Sequence, residues 1–196
     1  MKRNVSIPAL IAASLVLVPN LASAHIIPGT THGLREGLVH PWSGLDHLLA
    51  MIAVGLWAAQ HRGAAVWRIP LAFVSVMALG GVLGLSGASV PGVEFGIGLS
   101  VLVLGALIAT ATQFKTVWSM ALVGGFALFH GFAHGHEMPA AVSALPFSIG
   151  FLLSTLALHG VGISVGLSLQ QQPRLIRIAG LGIAACAALC FAGLSN

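Results

Sequence analysis

Charged residues are scarce in this chain, and their scarcity excludes a water-soluble globular protein. Only 6% of the 196 residues are charged, whereas about 25% is usual in a soluble domain. Hydrophobic residues make up 57% of the chain, and the mean hydropathy is +1.00. Because the 8 basic residues form no run, no surface for binding nucleic acid is indicated. The composition is that of a membrane protein.

Cysteines and nucleotide-binding motifs are also lacking, which narrows the chemistry. The 2 cysteines, Cys186 and Cys190, lie in one apolar stretch and suit neither a disulfide framework nor a thiolate zinc site. We expect them to be packing residues. The chain contains no Gly-x4-Gly-Lys-[Ser/Thr] phosphate loop, so it hydrolyses no ATP by that route, and nothing in it implies an ATPase subunit.

The first 24 residues have the pattern of a secretory signal peptide. A basic pair at residues 2 and 3 precedes an apolar run over 9–18, and the small-x-small pattern Ala22-Ser23-Ala24 follows. An uncleaved membrane helix is the alternative, but a span needs roughly 20 apolar residues. We therefore predict cleavage after Ala24, which leaves residues 25–43 as an exposed N-terminal arm beginning at His25.

Residues 25–196 are predicted to form a single all-α transmembrane domain, a bundle of six helices. The apolar segments are long enough to span a bilayer, although the first is short. They cover residues 44–60, 69–86, 92–112, 117–132, 142–169 and 175–194. Glycines at four-residue spacing predict close packing of helix backbones, at Gly80/Gly84, Gly92/Gly96, Gly131/Gly135 and Gly162/Gly166.

The basic residues predict which loops face the cytoplasm. Most of them lie in or beside the loops that follow the first, third and fifth segments: Arg62, Arg68, Lys115, Arg174 and Arg177. Arg35 alone lies on the other side. Since positive charge accumulates on the cytoplasmic side, we expect a multi-pass protein of a bacterial inner membrane with both termini in the periplasm.

Histidine stands out against this apolar background. The chain has 9 histidines, although an ionisable side chain inside a membrane helix costs about 2.5–3.5 kcal/mol on insertion scales. Several of them lie in two motifs, His40-Pro-Trp-Ser-Gly-Leu-Asp46-His47 and Phe129-His130-Gly-Phe-Ala-His134-Gly-His-Glu137. The first motif enters the first apolar segment and the second leaves the fourth, so both fall at the outer end of the membrane domain, where they could meet.

The two motifs contain ligand types that a divalent transition metal prefers. His130 and His134 are four residues apart and Glu137 follows three later, so all three project from one helical face. Imidazoles with carboxylates and no thiolate suit Ni²⁺, Co²⁺ or Zn²⁺. Each residue alone also has a structural explanation, such as a helix cap for Asp46. Together they predict a metal site formed by His40, Asp46, His47, His130, His134 and Glu137.

Further histidines are weaker candidates for metal binding, namely His25, His32, His136 and His159. His159 lies four residues after Thr155, and it is either a second station on an ion path or a hydrogen-bonded packing residue. Cleavage after Ala24 would give His25 a free α-amine beside its imidazole, and this pair can chelate one ion. The alternative is that the arm histidines belong to a plain linker. His61, in a predicted loop, is expected to be inert.

The two motifs resemble those of the HupE/UreJ nickel/cobalt permeases. In that family they take the forms His-x5-Asp-His and Phe-His-Gly-x-Ala-His-Gly-x-Glu, which residues 40–47 and 129–137 match. The resemblance covers nearly the whole chain. It implies a permease that imports nickel, or cobalt, for the maturation of metalloenzymes such as hydrogenase or urease. It also implies that the six predicted ligands take part in transport.

Two other functions use the same residue types and stay open. One is an intramembrane zinc-dependent hydrolase with Glu137 as general base, although no His-Glu-x-x-His pattern is present. The other is a metal sensor or chaperone that binds the ion without passing it. We expect a protein without enzymatic activity or cofactor, with Ni²⁺ or Co²⁺ as its cargo and the lipid bilayer as its other partner. A homo-oligomer is compatible with the sequence.

Overall fold

The computed structural model describes residues 32–138 and 142–194, and these residues form seven helices and no strand. The helices are α1 (His32–Ser43), α2 (Leu45–Gln60), α3 (Ala65–Leu85), α4 (Val93–Thr110), α5 (Thr116–His136), α6 (Ala144–Ser168) and α7 (Pro173–Leu194). The predicted all-α class is confirmed. The predicted signal peptide and residues 25–31 of the predicted arm lie outside the described residues.

Five of the helices, α3 to α7, are long and apolar enough to cross a membrane. The 16 residues of α2 extend over only about 24 Å, which is short of a hydrocarbon core of about 30 Å. With α1, however, α2 forms a pair bent by 84°, which is a sixth candidate span or a re-entrant loop. The chain is therefore a multi-pass membrane protein by length and composition, and exactly six spans remain a prediction.

Gly44 marks the bend between α1 and α2. Its backbone is extended, with φ −104° and ψ 122°, and its carbonyl accepts a hydrogen bond of 3.0 Å from the amide of Leu48 in the first turn of α2. Pro41, in the last turn of α1, has no amide hydrogen to continue a helical ladder. Two helix ends with polar backbone groups therefore lie between His40 and Asp46.

Residues 32–43 differ from the prediction, because they form helix α1 where the sequence indicates an exposed arm. α1 packs along α6, and glycines make the closest contacts. A Cβ atom added at Gly37 would collide with the backbone of Phe147, and one at Gly150 would collide with the backbone of Leu34. The sequence of α1 is too polar to predict a membrane span. Its glycine face, however, lets the backbones of α1 and α6 approach closely.

Most of the predicted glycine pairs lie at helix contacts. Gly80 and Gly84 of α3 pack on α5, Gly131 and Gly135 of α5 pack on α3, and Gly162 and Gly166 of α6 pack on α2. The prediction is wrong for Gly92, which precedes α4 and has a φ of 75°. Gly92 serves a left-handed backbone turn, where a side chain would be strained. Gly96 lies under the ring of Phe129 rather than on a helix backbone.

The bundle has two chemically different ends. α2 lies in the core, with Met51 and Trp57 fully buried. At the start of α2, His47 contacts residues from the end of α5, and we name this the histidine end. At the other end of α2, the indole of Trp57 donates a hydrogen bond of 2.8 Å to the carbonyl of Thr112, which follows α4. We name this the opposite end.

Candidate metal site

Histidines from three helices meet at the histidine end. The first turn of α2 carries His47, the last two turns of α5 carry His130 and His134, and the last turn of α1 carries His40. Nδ1 of His47 lies 3.0 Å from Nδ1 of His130 and 3.0 Å from Nε2 of His134. The ring of His40 lies edge-on to that of His134, with 4.8 Å between the ring centroids. We call these four residues the histidine cluster.

The cluster is enclosed by apolar side chains. His130 is fully buried and His134 is 4% exposed, whereas His40 and His47 are partly exposed. The rings of Phe73 and Phe151 lie against His130 and His134, with centroid distances of 5.7 Å and 4.1 Å. A buried imidazole needs polar partners to offset the loss of hydration, and here the partners are chiefly other imidazoles.

Ser100 determines which ring nitrogen of His130 carries the hydrogen. The Ser100 hydroxyl donates its only hydrogen to the carbonyl of Ile97, over 2.6 Å. Its oxygen, 2.9 Å from Nε2 of His130, must therefore accept a hydrogen bond from that nitrogen. Since a neutral imidazole carries hydrogen on only one nitrogen, Nδ1 of His130 keeps a free electron pair and directs it towards His47.

The nitrogen spacing suits a shared metal ion. Metal–imidazole bonds of about 2.0–2.1 Å separate two nitrogens at a right angle by about 2.9 Å, which is close to the two distances of 3.0 Å at His47. The other nitrogen of His134, Nδ1, is buried and has no hydrogen-bond partner among the described residues. At 3.0 Å, two imidazole nitrogens are joined either by the hydrogen of an N–H···N bond or by a cation that replaces it, so the spacing fits a metal site.

A second, wider ligand group includes a carboxylate. One ligand atom from each of His40, His134 and Glu137 lies within 4.8 Å of the others. Glu137 is exposed and directly follows the end of α5, so this group lies nearer the surface than the buried His130. Because His134 belongs to both groups, the outer carboxylate and the buried imidazoles form one continuous set of ligands.

Comparison with known proteins identifies the family. The model of the family described as "HupE / UreJ protein" matches residues 13–190. The chain belongs to the HupE/UreJ family. It is also similar to a protein named "Protein HupE" from Rhizobium leguminosarum bv. viciae, with 48% identity over 154 residues, which is 78% of this chain and 79% of that protein. No solved structure matches it significantly.

Asp46 has a different position from the other predicted ligands of this HupE/UreJ chain. It is the second residue of α2 and is partly buried, and its Oδ1 accepts a hydrogen bond of 2.9 Å from the backbone amide of His47. Residue Gly44, not Asp46, stands at the N-cap. A carboxylate is favourable at the positive N-terminal end of a helix. Asp46 therefore lies beside the cluster and contacts the backbone of its central histidine.

The weaker candidates are dispersed. His136 is exposed and stacks on Phe132, and with Glu94 and Glu137 it lines a separate cavity of about 220 Å³. His159 is buried on α6 and contacts the ring of Phe73 rather than a histidine of either motif. His32 begins α1, and His25 lies outside the described residues.

His61 is not the loop residue that the sequence indicates. It is 6% exposed and ends α2, and its ring contacts the carbonyl of Trp57 and the hydroxyl of Ser119 at the opposite end. Both ring nitrogens have protein partners, and the inertness of His61 stays a prediction.

Two residues that shape the site, Ser100 and Phe73, were not predicted from the sequence. Ser100 is the one polar side chain between Glu94 and Thr110, so its isolation in an apolar segment could have revealed it. Phe73, whose ring lies against His130, gave no such signal, because a phenylalanine in a membrane helix is unremarkable. Its position became visible only once α3 was packed on α5.

Proposed function

We propose that the chain is a secondary permease that imports a divalent transition-metal ion, Ni²⁺ or also Co²⁺, for the maturation of metalloenzymes. The observation that carries the proposal is the position of His47, whose Nδ1 lies 3.0 Å from one imidazole nitrogen of His130 and one of His134. Imidazole with nearby carboxylate is a donor set suited to Ni²⁺, Co²⁺ and Zn²⁺. Membership of the HupE/UreJ family favours nickel and cobalt.

The bent helix pair supports transport rather than simple binding. Discontinuous membrane helices are common in secondary transporters, where helix ends within the membrane help to bind the transported ion. Here the break between α1 and α2 lies at Gly44, with His40 on one side and His47 on the other. An ion entering the cluster would therefore contact side chains from both halves of the broken span.

The membrane potential can drive the import without ATP. One positive charge moving inward across about 100 mV gains about 2.3 kcal/mol, so a dication gains about 4.6 kcal/mol. This corresponds to roughly a thousandfold accumulation at equilibrium.

The proposal includes an orientation. The bent pair counts as one span with α3 to α7 as the other five, both termini face the periplasm, and the histidine end opens to the outside of the inner membrane. The distribution of basic residues supports this, because Arg62, Lys115 and Arg174 follow the helices that would end in the cytoplasm. The signal peptide, with cleavage after Ala24, belongs to the same proposal.

Uptake of isotopic nickel and cobalt into cells that lack other importers tests the proposal. We expect Asp46→Asn to lower uptake at least about tenfold, since Asn keeps the shape of Asp and can accept the hydrogen bond from the His47 amide but removes the charge beside His47. Asp46→Glu, which keeps the charge, is the matched control and should retain more uptake. Both variants are to be checked for normal amounts in the membrane. Normal uptake by Asp46→Asn would leave the carboxylate with its backbone hydrogen bond as its only role.

Reconstitution into proteoliposomes separates the three candidate functions. A permease moves metal into the vesicles. A hydrolase would move none and would lose its activity with a chelator, and a sensor or chaperone would bind metal without moving it. Absence of metal uptake by well-folded wild-type protein would overturn the proposed function.

A further inference from the structure

His159 is a buried histidine that the metal site does not use. It lies on α6 with 1% of its surface exposed, and neither ring nitrogen has a hydrogen-bond partner among the described residues. Thr155, fully buried, lies one turn earlier on the same face of α6, and its hydroxyl oxygen likewise has no hydrogen-bond partner among those residues. Burial of unpaired polar atoms is costly, so three of them on one helix face point to a ligand.

His159 lies one aromatic ring away from the histidine cluster. The ring of Phe73 has its centroid 5.7 Å from that of His130 and 5.2 Å from that of His159. The two imidazoles therefore contact the same phenylalanine. The shared contact places His159 within about 11 Å of His130, close enough for an ion to pass from one to the other.

Two helices independently give the depth of His159. On α6, Phe151 contacts His134, and His159 follows eight residues later, which is about 12 Å along the helix axis. On α2, Gly55 follows His47 by eight residues and packs on the backbone of His159. His159 thus lies well inside the bundle, in the direction of the opposite end.

We propose that His159 and Thr155 form a second binding station for the transported divalent transition-metal ion, deeper in the bundle than the histidine cluster. An imidazole nitrogen and a hydroxyl oxygen, completed by water, make a weaker site than the cluster. Weak binding at a deep station suits transit, because an ion that binds too tightly does not leave. The identity of the ion in this inference rests on the proposed permease function.

The first test measures uptake and outer-site affinity in the same variants. His159→Leu replaces the ring by an apolar side chain and removes the unpaired nitrogens, so folding is expected to survive. We expect its nickel uptake to fall about tenfold or more, while the high-affinity metal binding of the purified full-length chain stays within about twofold of wild type. Thr155→Val, which removes only the hydroxyl, should lower uptake about threefold. His61→Gln, a change of a buried histidine at the opposite end, is the control and should retain uptake.

The second test counts bound ions and does not depend on transport. Titration of the purified full-length chain with Co²⁺ should show a second, weaker equivalent in wild type that His159→Leu lacks. If wild type moves no metal but this difference remains, the station stands and the permease function falls. If His159→Leu takes up and binds metal as wild type does, His159 is a packing residue and the proposal is overturned. Should His159→Leu not fold, wild-type uptake and binding by Thr155→Val would overturn it.

Discussion

Two buried histidines, one at each end of the bundle, each contact a serine hydroxyl through Nε2 but differ in their second contact. At the opposite end, Nε2 of His61 lies 3.1 Å from the hydroxyl of Ser119, and Nδ1 lies 3.0 Å from the carbonyl of Trp57. At the histidine end, Nε2 of His130 lies 2.9 Å from the hydroxyl of Ser100, and Nδ1 faces Nδ1 of His47.

The second contact decides what each histidine can do. A carbonyl oxygen only accepts hydrogen bonds, so Nδ1 of His61 must donate and Nε2 must accept from Ser119. The one N–H hydrogen and the one free nitrogen electron pair of His61 are then both used within the protein. His130 instead donates through Nε2 to Ser100 and keeps the electron pair of Nδ1 for a partner. Both histidines are buried beside a serine, but the serine donates to His61 and accepts from His130, and only His130 directs a nitrogen electron pair towards another imidazole.

The largest expected difference in metal affinity is between the variants His130→Gln and His61→Gln. Loss of a ligand should lower the affinity of the purified protein for Co²⁺ by at least about a hundredfold, since outer partners of ligands alone are worth about 10–100-fold. The change at His61 should leave the affinity within about twofold of wild type, because Gln can also donate and accept. Affinity is measured by titration, with thermal unfolding as the check on folding. Equal losses in the two variants would remove the distinction between the two ends.

The second prediction concerns the sharing of one ion between the two motifs. His47→Ala and His134→Ala should each lower nickel uptake strongly, and the double variant should lose little more than either single variant. Residues that act on one ion are coupled in this way, whereas independent sites add in free energy. If the fold-loss of uptake in the double variant equals the product of the two single losses, His47 and His134 belong to two separate sites in series. The histidine cluster would then not bind one shared ion.

The third prediction is a loss of metal affinity in acid. Protons compete with the metal ion for imidazole nitrogens, which must be neutral to bind metal. Affinity should therefore fall by about tenfold or more as the pH is lowered from about 7.5 to about 4.5, well below the value near 6.5 at which a free imidazole titrates. Co²⁺ titration of the purified protein at both pH values measures it. Affinity that stays flat over this range would exclude a site dominated by histidine.

The smallest expected effect on metal affinity comes from replacing the serine beside each buried histidine. Ser100→Ala removes the group that holds the proton on Nε2 of His130, and it should lower metal affinity about tenfold, as is usual for outer partners of ligands. Ser119→Ala, the matched change at the opposite end, should alter thermal stability but not metal affinity. An equal effect of both changes on affinity would mean that the Ser100 contact does not orient the ligand.

Much of the architecture could be predicted from local sequence features. The apolar segments of the sequence predicted the helices from α2 to α7. The spacing of His130, His134 and Glu137 predicted that they share a helix face. The helix α1 could not be predicted in this way. Its polar composition hides its contact with α6, which depends on Gly37 and Gly150 meeting across two helices.

The candidate site, like the fold, could be predicted from the sequence only in part. The types of ligand, and therefore the class of metal, follow from the two motifs, because coordination chemistry depends on which atoms a side chain carries. The distances between nitrogens depend on how α2 and α5 pack, and the tautomer of His130 depends on Ser100 from a third helix. The same holds for His61, whose motif-free position suggested an inert residue but not its two buried hydrogen bonds.

Composition and spacing alone thus established a helical membrane protein with imidazoles and carboxylates at one end, since hydropathy and ligand chemistry are properties of single residues and short segments. Tertiary packing decided which histidines share a nitrogen contact, which one has both ring nitrogens bonded within the protein, and that His130 and His159 contact the same ring, that of Phe73. The physical reason is that these relations span helices distant in sequence, and glycine contacts of a few ångströms set how closely those helices approach.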